Sequence, residues 1–249
     1  VFNATTDRIS KMTLLFPDRV KELEAIFDRP SMVYIDYANI YHWTNKLKWT
    51  FDLKRIKQLL SGFDTIKGAK FYYGTSDKES SRKFIEEVKT LGYDVKTKPV
   101  KKMRLSIDVS GVSLNSSAVL ENFIKRPLLK VLTLETIQYL NSKLKELNVS
   151  GTTYVEQLKC NFDVEIGRDM LLDYKNNGID NFILWSGDSD FADPVTQLLN
   201  DGKKAVIFAT SRRVSTELTE TRALIFDIQK IRNFICNSHQ IQDNIRALI

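Results

Sequence analysis

The stretch Trp185-Ser186-Gly187-Asp188-Ser189-Asp190-Phe191 decides how this chain is read. The residues leading into it, Asn181-Phe182-Ile183-Leu184-Trp185, form a short apolar run that predicts an interior strand. Gly187 is then expected to permit a sharp turn, and Asp190 to cap the next helix. Two acids at the exit of a buried strand stand where open α/β sheets place their ligands. Such a close pair repels unless a cation lies between the carboxylates. The plainer alternative makes Asp188 a turn residue and Asp190 a cap.

A second apolar run, Met32-Val33-Tyr34-Ile35-Asp36, also ends in an acid and continues as Tyr37-Ala38-Asn39. Asp36 and Asn39 are therefore expected on a loop at the same sheet edge as Asp188. A third acidic segment, from Cys160 to Leu172, carries Asp163, Glu165 and Asp169 and reads as a helix start. Three separated acidic segments that can meet on one edge indicate a metal pocket. Its donors are oxygens, which suits Mg²⁺ or Mn²⁺ better than zinc.

Between these segments, strand and helix patterns alternate. A leading helix starts at Pro17, with Val20, Leu23, Ile26 and Phe27 at helical spacing. Helices are expected around Leu53–Leu60 and Phe84–Leu91, and strands at 69–73, 93–97, 205–208 and 224–226. This alternation predicts a mostly parallel sheet covered on both faces. Residues 1–30 form an N-terminal helical extension and 31–249 the main domain, interrupted by an insertion at about 101–152. Within the insertion, a short helix over Ala118–Ile124 is expected to end at Pro127. Thr133 is expected to cap a helix striped by Leu134, Ile137, Leu140, Leu144 and Leu147. That stripe suits core packing or a homodimer contact better than a ligand site.

The three acidic blocks resemble a known family. The pattern Tyr34-Ile35-Asp36-Tyr37-Ala38-Asn39-Ile40-Tyr41, then Lys159 through Asp169, then Ser186-Gly187-Asp188-Ser189-Asp190-Phe191 is similar to the NYN domain. That family includes the LabA-like proteins and belongs to the PIN-like nuclease superfamily. Two departures stand out: Cys160 replaces a usual Gly, and Tyr37 stands near a usual Gly or Ser. The resemblance implies a PIN-like three-layer α/β sandwich and a metal-dependent nuclease acting on RNA. It implies Asp36, Asp163 and Asp188 as metal ligands, with Asp190 direct or through water. Asn39 would orient a water or the phosphate. Asp169 matches a family acid, but it lies six residues after Asp163, about 240° around a helix. Both can serve only if Asp163 lies at or before the helix start.

The chain has 249 residues, 27% of them charged and 43% hydrophobic, with a net charge of +6. The length suffices for a sizeable core, as one large domain or one domain with an elaboration. No apolar run matches a membrane span, and no signal-peptide pattern opens the sequence. Cys160 and Cys236 are the only cysteines, which argues against a disulfide framework and for a reducing, cytoplasmic setting. Isolated His42 and His239 argue against structural zinc.

An acid-free run, Val95 to Arg104, contains Lys96, Lys98, Lys101, Lys102 and Arg104. It reads either as a solvated edge or as the phosphate-contacting face that an acidic nuclease centre needs to hold single-stranded RNA. Tyr41, His42, Trp43 and Trp49 are candidates for base stacking, against a core role for the aromatics. Asp77 and Glu79 come after the second strand, where Asp77 suits a helix cap. Ser186 and Ser189 lack a histidine partner in a nucleophile motif, and no glycine-rich phosphate loop is present. Two rivals to the nuclease reading remain. One is an RNA-binding or protein-interaction module with an inactive site. The other is a haloacid dehalogenase-type phosphatase, disfavoured because Ala38 stands where its second aspartate is needed.

Overall fold

Apolar strands need two covered faces, and the alternation of strand and helix supplies them. The computed structural model describes residues 1–176, 178–210 and 213–249. These residues divide into two compact units, residues 1–99 with 161–249, and Val100–Cys160.

The first unit opens with α1 (Asp7–Leu15) and α2 (Pro17–Ile26), whose Ile9, Met12, Val20, Leu23 and Ile26 are buried. The chain continues through β1 (Ser31–Asp36), α3 (Tyr37–Leu47), α4 (Leu53–Leu60), β2 (Ile66–Thr75), α5 (Glu79–Thr90) and β3 (Asp94–Pro99). The second unit holds β4 (Lys101–Ser106), α6 (Arg126–Leu129), α7 (Leu134–Val149) and β5 (Tyr154–Lys159). The first unit resumes with α8 (Asp163–Asn176), β6 (Asn181–Trp185), α9 (Ala192–Asn200), β7 (Lys204–Ala209), α10 (Thr216–Glu220) and β8 (Leu224–Asp227). It ends with α11 (Arg232–Ile235) and α12 (Asp243–Arg246).

The six strands of the first unit form one parallel sheet in the order β3-β2-β1-β6-β7-β8. From β1 the chain builds outward through β2 and β3; from β6 it builds the other way. The β1–β6 seam is therefore a topological switch point, where the loops of neighbouring strands diverge and leave a crevice. The two faces carry different helices. Phe71 of β2 meets Tyr37 of α3 and Phe84 of α5. Tyr34 and Tyr72 face the other way and bond to Asp173 and Asp169 of α8. The expected α/β three-layer architecture is what these contacts build. Among the described residues, no helix is long and apolar enough to cross a membrane. Both cysteines are free thiols.

The second unit departs from expectation in three ways. Its strands β4 and β5 pair antiparallel, a ribbon that the charged segments Lys101–Ser106 and Tyr154–Lys159 did not announce. Pro127 sits in the first turn of α6 instead of ending a helix, because proline's missing N–H costs nothing at a helix start. Thr133 caps α7 as expected, accepting from the Thr136 amide. The leucine stripe of α7, however, is only partly covered: Ile137, Leu140 and Leu144 are half-buried, and Leu134 and Leu147 remain 49% and 46% exposed. Asn141 is the residue that α7 buries, donating to the carbonyls of Leu114 and Ser116 at 2.7 and 2.8 Å.

Candidate functional site

Asp36 is the last residue of β1, and Ser186 comes directly after the last residue of β6. The register Ile35↔Trp185 sets the two side by side at the carboxyl edge of the switch point. No loop separates Asp36 from α3, which it caps directly, accepting from the Asn39 amide at 3.3 Å. Asn39 therefore sits in the first helical turn, not on a loop. Its side-chain carbonyl accepts from the Gly187 amide at 3.3 Å, tying α3 to the exit of β6.

Ser186 is the organiser that sequence reasoning missed. It is fully buried, donates to Asp36 Oδ2 at 3.3 Å and accepts from the Asp188 amide at 3.3 Å. A small hydroxyl between a buried strand and Gly-Asp is the signal that could have found it. Asp188 takes the capping role expected of Asp190, accepting from the Asp190 amide across the short 3₁₀ turn Ser189–Phe191. Gly187 is required for space, not for a left-handed turn. A Cβ there would lie 1.9 Å from the Arg213 carbonyl oxygen.

Asp163 arrives from the other face. It is the first residue of α8, and its amide is held by Asn161 Oδ1 at 2.8 Å. The helix is fastened to the sheet by two buried hydroxyls: Tyr34 donates to Asp173 at 2.6 Å and Tyr72 to Asp169 at 2.9 Å. Lys70 adds an ion pair to Asp173 at 2.7 Å. These contacts aim the α8 N-terminus at the carboxyl edge. Asp163 Oδ2 is buried with no hydrogen-bond partner among the described residues, and the Asp190 carboxylate acts on the Asp163 carboxyl at hydrogen-bonding range. Burial, contact with Asp190 and the Asp188 charge push the Asp163 carboxyl up to about 7, against the Asn161 amide side chain, which lowers it. Burial likewise raises Asp36, opposed by the donors from Asn39 and Ser186 and reinforced by Asp188. Asp188 is thus the acid whose field reaches both Asp36 and Asp163.

An open groove of about 900 Å³ runs from Asp163 and Asp190 between α8 and α9, with Lys98, Asp193 and Gln197 on its walls. Lys98 bonds Glu165 at 2.7 Å and lies 4.7 Å from the Phe162 ring centroid. Although burial opposes it, the Lys98 partner holds the Glu165 carboxyl below its ordinary value. The other expected residues lie elsewhere. Asp169 is committed to Tyr72 and to Arg168, the latter at 2.9 Å. Lys96 pairs with Asp94 on its own strand, while Lys101, Lys102 and Arg104 belong to β4 of the second unit. Trp43 and Trp49 are core residues at 4% and 2% exposure, whereas Tyr41 and His42 are exposed on α3. Asp77 is exposed and does not cap α5, which begins after Lys78 without a side-chain cap.

Among the described residues, no three His, Cys, Asp or Glu side chains converge closely enough to form a ready metal cage. The Asp163–Asp190 contact nevertheless fits a hard cation. Two ionised carboxylates are both acceptors, so a proton or a cation must separate them. Mg²⁺ in particular is held by one or two carboxylates and keeps several waters. The donor set on hand meets that requirement.

Comparisons with known proteins bear on the fold and the family. The chain is 24% identical over 211 residues to the low amplitude and bright protein LabA of Synechococcus elongatus, covering 83% of this chain and 89% of that one. A crystal structure of a Vibrio parahaemolyticus protein of unknown function superposes with a TM-score of 0.53 at 18% identity, over 83% of this chain and 95% of its own. The family model of the NYN domain matches residues 30–117 and 125–228, so it takes in most of the second unit as well as all three acidic segments. With more than half of its length matched, this chain belongs to the NYN domain family.

Proposed function

We propose that this NYN domain, a fold of the PIN-like nuclease superfamily, is a metal-dependent ribonuclease whose centre lies at the β1–β6 switch point. The observation that carries the reading is the buried Asp163 Oδ2 beside Asp190, without a hydrogen-bond partner among the described residues and within the field of Asp188. Asp163 and Asp190, which line the groove, would hold the ion, with Asp188 close enough for its charge to act on Asp163. Mg²⁺ or Mn²⁺ bound there would supply Lewis acidity toward the phosphodiester. The chain's own residues do the rest. Ser186 and the Asn39 amide fix the Asp36 carboxylate, and Asn39 Oδ1 fixes the Gly187 backbone. Lys98 stays paired with Glu165 on the groove wall and holds that side of α8 in place. Asp169, already bonded on both oxygens, positions α8 and is left out of the ligand set.

The test is cleavage of an unstructured RNA with Mn²⁺ supplied. Wild-type protein cleaves it, and Asp188→Asn removes cleavage while RNA binding persists. One observation favours a second reading, an RNA-binding module without catalysis: both Asp36 oxygens already have protein donors. Normal ion binding by calorimetry without cleavage of any RNA or DNA substrate would select it.

A further inference from the structure

A second groove, about 850 Å³, opens at the same carboxyl edge beyond β7 and β8. Thr210 and Arg213 line it from the segment after β7, Gln229 from the turn after β8, and Asn45, Lys46 and Lys48 from the end of α3. No acid lines it among the described residues. Lys46, Lys48 and Arg213 are exposed and make no ion pair with any described residue. Thr210 is buried and contributes a hydroxyl to the groove lining.

Cations near the end of α3 also suit the helix dipole. That accounts for Lys46 and Lys48, but not for Arg213 on a separate segment. The groove and the acidic centre share a wall. Gly187 packs against the Arg213 carbonyl, its own carbonyl accepts from Ser215 at 3.0 Å, and its amide is held by Asn39. Along α3 the rise from Asp36 to Lys46 is about 15 Å, several stacked nucleotides from the acids.

We propose that this groove holds backbone phosphates of single-stranded RNA flanking the scissile bond, an assignment that rests on the nuclease reading for its substrate. An acidic centre repels the polyanion, so affinity has to come from cations beside it. Unpaired cations serve that purpose better than Lys96, Lys98, Lys102 and Arg104 of the basic run, each of which already pairs with an acid. Lys and Arg supply charge, and Thr210 a hydroxyl donor, to phosphate oxygens.

The experiment measures binding of a labelled 12-nucleotide RNA by anisotropy in EDTA, across a salt series. In the full chain, Lys46→Gln/Lys48→Gln/Arg213→Gln lowers affinity at least about tenfold and flattens the salt slope by about 2. Thr210→Val loses less affinity and keeps the slope. Unchanged affinity and slope in the triple variant overturn the groove, as does wild-type binding of inorganic phosphate as tight as that of RNA. Cleavage with Mn²⁺ is scored separately on wild-type protein. RNA cut by wild type but bound equally by the triple variant refutes the groove alone. RNA bound through the groove but left uncut refutes the nuclease reading and leaves the groove standing.

Discussion

Strands β6 and β5 are similar in length and opposite in setting. Every residue of β6 is buried, whereas every residue of β5 is exposed. β6 lies mid-sheet between β1 and β7, while β5 has β4 as its single partner. The second unit buries a short set of apolar side chains, Ile107, Val109, Val119, Leu120 and Leu129, mostly from irregular segments. A site that must hold carboxylates against mutual repulsion needs supports that do not move. The β1–β6 seam has them in both strand neighbours and in the α8 tyrosine clamps. A two-stranded ribbon is marginal by itself.

The largest expected effect comes from that contrast. Phe182→Ala in β6 should cost about 3–5 kcal/mol, while Leu158→Ala in β5 should stay within about 0.5 kcal/mol. Urea unfolding of both variants measures the gap. Equal losses would mean that the ribbon is as much a part of the cooperative core as the sheet.

Catalysis gives the next contrast. Asp188→Asn should lower Mn²⁺-dependent RNA cleavage by at least about 100-fold. Glu156→Gln, on the ribbon, should leave cleavage unchanged. Initial rates on one labelled RNA decide it. A comparable loss in the ribbon variant would move chemistry into the second unit.

The same physics decides how much of the molecule was legible in its sequence. Apolar runs ending in acids revealed β1 and β6 and the edge they share, because interior strands leave a continuous hydrophobic signature. The segments of β4 and β5, Lys-Lys-Met-Arg-Leu-Ser and Tyr-Val-Glu-Gln-Leu-Lys, bury almost nothing, so no periodicity marked them. An amphipathic pattern says which side of α7 is apolar, not what covers it, and Leu134 and Leu147 turned out exposed. Asp36 carried two messages, an acid at a strand end and a helix cap; reading the first hid the start of α3. The basic run looked continuous in sequence but spans the boundary after Pro99 between the two units. The groove cations had no linear motif, since Lys46 and Arg213 meet only once the sheet is built.

A smaller effect is set by pH. Asp163 is raised from 3.8 to about 7 in the folded chain. The folded state therefore binds the proton more tightly than the unfolded one, and its contribution is fully present below the unfolded value. As pH rises from about 4 through about 7 that stability is lost. In EDTA, thermal midpoints should fall across this window, and Asp163→Asn should flatten the fall. Mn²⁺ should raise the midpoint most above pH 7, where the ionised pair needs a cation. A midpoint that rises with pH in the wild type but not in Asp163→Asn would reverse the sign and overturn the carboxylate contact.

The smallest expected effect concerns the ribbon's own cations. Lys102 and Arg104 lie 3.6 and 4.0 Å from Glu156, and Arg104 stacks 4.5 Å from the Tyr154 ring centroid. Such exposed pairs are weak, so phosphate can compete for them, but each contact formed must first give up a carboxylate. Fewer counterions are then released per cation than at Lys46, Lys48 or Arg213. Lys102→Gln/Arg104→Gln should therefore change the salt slope of RNA binding by less than about 1, against about 2 for the triple groove variant. Anisotropy titrations at matched salt make the comparison directly. A larger slope change from the ribbon pair would place the main phosphate contacts on β4, and would restore the basic run after Val95 as the RNA-binding face.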